Sequence, residues 1–151
     1  MKKLFSTLAA LLLMTTTLVP AGHAQSGGPF QTVGTWTFFI KIDGAPPCQC
    51  IQLARFRTDG TIDGPANDHF SSASLGEWRQ FGSGDVRFAF VQNAINPDGT
   101  GGGVYVVRGR MTVNATGDQG TGTSTFQVLD VNGKVSFSGT ATFTGTKLKL
   151  D

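Results

Sequence analysis

Few side chains in this sequence are equipped for chemistry, and those few are scattered. Two cysteines stand as Cys48-Gln49-Cys50 behind Pro46 and Pro47. A bond between positions i and i+2 would close a very small ring, and alternate strand positions point to opposite faces. The pattern therefore favours two thiols or a strained, labile disulfide over an ordinary structural bridge. Redox chemistry or metal binding is the sharper alternative. A metal would need ligands beyond the cysteines and His69, which carboxylates would have to supply, and no metal site is expected. His69 follows Asp68 in a polar stretch and titrates near neutrality, as a general acid or base must. A loop histidine without a visible partner is more simply read as exposed. Arg108 and Arg110 share one strand face: turned inward, Arg108 could hold a carboxylate or enolate, and turned outward both are solvated. Glu77 is expected to point outward, opposite to its neighbour Trp78. The sequence holds no G-x-S-x-G elbow, no H-E-x-x-H and no phosphate loop. Catalytic residues are therefore unassigned, and no cofactor is implied.

The recognition chemistry is aromatic instead. Trp36, Phe38, Phe56, Trp78, Phe88, Phe90 and Phe126 fall within runs that alternate apolar and polar residues. Such side chains offer large contact area with little rotamer entropy, and they are the candidate lining for a small apolar ligand.

Strands must position them. From Thr32 onward the sequence is a succession of period-two runs broken by Gly, Asn, Asp and Pro, with no helical periodicity. The first strand is Gly34 to Ile42, with Trp36, Phe38, Ile40 and Ile42 on one face. The second, Cys50 to Arg57, ends in the turn Thr58-Asp59-Gly60-Thr61. Asp63 to Ser74 reads as the longest irregular segment. A short strand around Glu77-Trp78-Arg79 follows, then Val86 to Asn93, Val104 to Val113, Gly122 to Val131 and Lys134 to Phe143. Asn132-Gly133 favours a type I′ hairpin between the last two, and Thr144 to Leu150 is a further piece that could complete closure. In the final long strand Val135, Phe137, Gly139, Ala141 and Phe143 share one face, and Ser136, Ser138, Thr140 and Thr142 the other. One face is wet and one apolar, and the mixture of bulky and tiny apolar residues suits either a tapered filled core or a cavity. A meander of seven or eight strands must hide two edges, and closure into an up-and-down barrel removes them. The expected fold is all-β: a single closed antiparallel barrel of about eight strands.

The first residues carry an address. Lys2 and Lys3 precede an apolar run from Leu4 to Val19 that is too short to span a bilayer, and Gly22 and Ala24 suit a cut ahead of Gln25. Residues 1–24 are expected to be a secretory signal peptide and 25–151 one exported domain, periplasmic or secreted. The leader removes two of the twelve basic residues, leaving ten against ten acids and a formal charge of zero. That balance, without a basic stripe, speaks against nucleic acid as a partner. No membrane insertion is expected, and the oligomeric state is left open.

Gly34-Thr35-Trp36 resembles the G-x-W signature of lipocalins and related calycin barrels. Phe56 to Thr61, Gly76-Glu77-Trp78, Phe88 to Phe90, Pro97 to Thr100 and Asp130 to Gly133 follow in an order similar to that of small exported bacterial calycin-like proteins. The resemblance implies that Trp36 closes one barrel end, with Lys147 or Lys149 packed across it by cation-π contact. The superfamily holds carriers of apolar molecules and also allene oxide cyclase-like enzymes. Three functions are therefore expected: a small-molecule-binding barrel, a cyclase or isomerase working by shape and desolvation, and a filled structural barrel acting through its outer surface.

Overall fold

The computed structural model describes residues 31–46, 50–66 and 71–149. The expected signal peptide, Cys48 and His69 lie outside the described residues. Eight strands follow one another: β1 (Gly34–Ile42), β2 (Cys50–Phe56), β3 (Thr61–Gly64), β4 (Ser74–Phe81), β5 (Asp85–Ile95), β6 (Gly101–Val113), β7 (Gln119–Leu129) and β8 (Val135–Lys147). Each pairs antiparallel with its sequence neighbours, and β8 pairs with β1. Spatial order equals chain order, so this is a closed up-and-down barrel, which is consistent with a calycin-like fold. It leaves no open edge.

Three details differ from expectation. β3 forms from Thr61 to Gly64, across the end of the expected turn and the start of the stretch read as irregular. It has four residues, too few for alternation to register. β8 continues unbroken to Lys147, because its pairing with β1 runs on past Phe143 to Trp36↔Lys147. The type I′ turn at Asn132-Gly133 does not form: it requires positive φ at both central residues, and only Gly133 has it. Instead the Gly133 N–H donates to the Asp130 carbonyl, while the Asp130 carboxylate accepts from the Asn132 and Lys134 N–H groups.

The interior face is apolar along every strand, but its two ends are filled differently. At the end carrying the start of β1 and the end of β8, Trp36, Val86 and Met111 are fully buried and Phe56 nearly so. The Trp36 indole N–H donates to the Thr32 carbonyl at 2.8 Å, and that of Trp78 to the Arg57 carbonyl at 2.9 Å. Lys147 stands opposite Trp36 in the β1–β8 ladder. Its ammonium donates to the Gln31 carbonyl at 3.0 Å, and its stem crosses Gly34, where a Cβ would lie 2.6 Å from Cε. Lys147 thus occupies the position expected of it, but through a hydrogen bond. Among the described residues the cation-π contact belongs to Arg87, over Phe81, and Lys149 pairs with Asp118.

Candidate functional site

Toward the other end the side chains do not meet. A cavity of about 480 Å³ lies there, within the range typical of small-molecule sites. Phe38, Phe56, Phe88, Phe90 and Phe126 line it together with Phe143, Ile40, Ile42, Ile62, Val107 and Ala141. Trp36 and Trp78 do not line it. They sit one layer below, as floor, because their indole N–H groups are tied to loop carbonyls at the closed end. Trp36 stacks under Phe38 at 6.1 Å between centroids, and Trp78 meets Phe56 edge-on at 5.5 Å.

The register explains why large rings leave room. Phe38 lies opposite Gly145, Phe88 opposite Gly109, Phe126 opposite Gly139 and Phe143 opposite Gly122. Each ring occupies the place of its partner's absent side chain. A Cβ on Gly139 would stand 2.7 Å from the Phe126 ring, one on Gly145 2.5 Å from that of Phe38, and one on Gly109 would run into Phe88. The rings therefore lie along the wall instead of projecting across the lumen. Edge-on contacts join them, Phe38 to Phe143 at 5.5 Å and Phe56 to Phe88 at 6.4 Å, as aromatic quadrupoles prefer.

The polar part of the lining is uncharged: Cys50, Gln52, Ser71, Gln92, Tyr105 and Ser124, with no Asp, Glu, Lys, Arg or His among the described lining residues. Sequence reasoning passed over Gln52, Gln92 and Tyr105. Their signal was alternation, since each shares its strand's inner face with a named aromatic or its neighbour. Cys50 is disulfide-bonded, and the chain's one other cysteine is Cys48. Among the described residues no three potential metal ligands of the His, Cys, Asp and Glu types come together.

The charged residues weighed for chemistry lie on the outer face. Arg108 is exposed, and Arg110 pairs with Asp85 at 2.8 Å in the open. Glu77 is exposed as well. Asp63 accepts from both Arg57 and Arg55, which hold its carboxyl down at about 2. Lys149, Thr116 and Asn114 hold Asp118 well below the usual carboxylate range. These shifts come from surface pairing, and none faces the cavity. No family model, curated protein or solved structure matches the chain.

Proposed function

We propose that this chain is an exported calycin-like barrel that binds a small, mainly apolar molecule without covalent chemistry. The observation that carries the reading is the Phe-lined cavity of about 480 Å³, with its rings seated on glycines. A packed interior rarely leaves voids much larger than a water molecule, so a space of this size is a site and not a packing defect. The lysine-led apolar run at residues 2–19 supports export, and the balanced charge of residues 25–151 supports a partner that is neither nucleic acid nor membrane.

The test is native mass spectrometry of the mature protein, isolated gently from its own compartment. We expect a drug-sized adduct that disappears on denaturation. A bare protein that also fails to take up methylnaphthalene in a fluorescence titration overturns the reading.

A further inference from the structure

The cavity carries hydrogen-bonding groups that the protein itself does not use. The side chains of Gln52, Gln92 and Tyr105 line it, each half-buried, and none makes a hydrogen bond among the described residues. At the closed end Thr32 Oγ1 donates to Gln80 Oε1 and both indoles have carbonyl partners, while Gln31 Oε1 is buried without a partner among the described residues. Gln92 and Tyr105 share one level, whereas Gln52 faces Phe38, the ring stacked on Trp36. Gln92 is the direct cross-strand partner of Tyr105. Along the inner faces Gln92 stands one position mouthward of Phe90, Tyr105 of Val107 and Gln52 of Ala54. Gln92 and Tyr105 together form a polar collar on the mouthward side of the apolar well, and Gln52 lies deeper in its wall.

We infer that the ligand is an uncharged amphipathic molecule, an apolar body bearing a hydroxyl or carbonyl group, seated apolar end down with that group at Gln92 and Tyr105. This rests on the binding reading above. Primary amides and a phenol both donate and accept, so the collar can meet either group. The described lining offers no counter-charge, so a carboxylate or ammonium would lose hydration without compensation.

Three probes with one ring system separate the terms: methylnaphthalene, naphthalenemethanol and naphthoate, titrated by fluorescence into the full mature chain. The quantity read is the ratio of alcohol to hydrocarbon affinity in the wild type against the double variant Gln92→Met, Tyr105→Phe. That ratio should fall about five-fold, the worth of one net hydrogen bond, through a loss of alcohol affinity, with the urea unfolding midpoint read alongside to report an intact barrel. Naphthoate should bind more weakly than the alcohol. An unchanged ratio, or naphthoate binding as tightly as the alcohol, overturns the collar while leaving the cavity reading standing. Failure of all three probes overturns both.

Discussion

The two ends of the barrel are built from the same eight strands with the same alternation, yet one is solid and the other hollow. At the closed end the indoles of Trp36 and Trp78 are anchored to loop carbonyls, and Met111 and Val86 fill the space between them. Nearer the mouth, Phe88, Phe126 and Phe143 are equally bulky but lie over Gly109, Gly139 and Gly122. Alternation decides which face a residue takes. Glycine partners occur at both ends, Gly34 opposite Phe56 and Gly122 opposite Met111, so the anchored indoles with Met111 and Val86 are what fill the closed end.

The sharpest way to break this contrast is to truncate one ring at each end. Trp36→Ala should cost about 3–5 kcal/mol, a large part of a small domain's total stability, measured from urea unfolding midpoints. Phe126→Ala removes a ring that already borders open space, and should cost less than about 1 kcal/mol while weakening methylnaphthalene binding. Equal costs would mean that both ends are core. Gly34→Ala probes the seal itself. Its Cβ would press on the Lys147 stem from a backbone at φ +134°, so a loss of about 1–3 kcal/mol in the same assay is expected. At the hollow end Gly109→Ala should swing the free end of Phe88 into the lumen. Methylnaphthalene affinity should fall about ten-fold, equivalent to ~1.4 kcal/mol, with little change in the unfolding midpoint.

The contrast was only half legible in the sequence. Period-two alternation was enough for seven of the eight strands and for the inner face of β8, because burial on one face enforces it. It missed β3, whose four residues span only two inner-outer repeats. Five of the seven aromatic candidates border the cavity and two form its floor. That division depends on which carbonyls the indoles reach and on which glycine each phenylalanine meets, and both are properties of strand register, which no single run reveals. The polar lining escaped notice because Gln52, Gln92 and Tyr105 carry no motif. They gain meaning only when strand pairing sets Gln92 beside Tyr105 and turns all three side chains to the cavity.

A smaller effect tests how well the wall beside the cavity is sewn. The β2–β3 seam has two register pairs, Arg55↔Asp63 and Phe56↔Ile62, whereas β5–β6 has eleven, so side-chain clamps matter most at the former. Arg55 and Arg57 both grip Asp63 there, and Phe56, Ile62 and Ala54 from the same seam line the cavity. The Asp63 carboxyl titrates at about 2 when folded, against ~3.9 in an unfolded chain. A depressed folded value means that the clamp contributes in full above about pH 5 and is lost as pH falls from there toward 2. Its size should be about 1 kcal/mol, because the pair is open to water and salt. Asp63→Asn should therefore lower stability at pH 7 and flatten the acid limb of the stability profile. With no described cavity residue of the carboxylate or histidine type, methylnaphthalene binding to the wild type should weaken only in the window where this seam loosens. Binding that varied between pH 5 and 8 would place a titrating group at the cavity instead of in its wall.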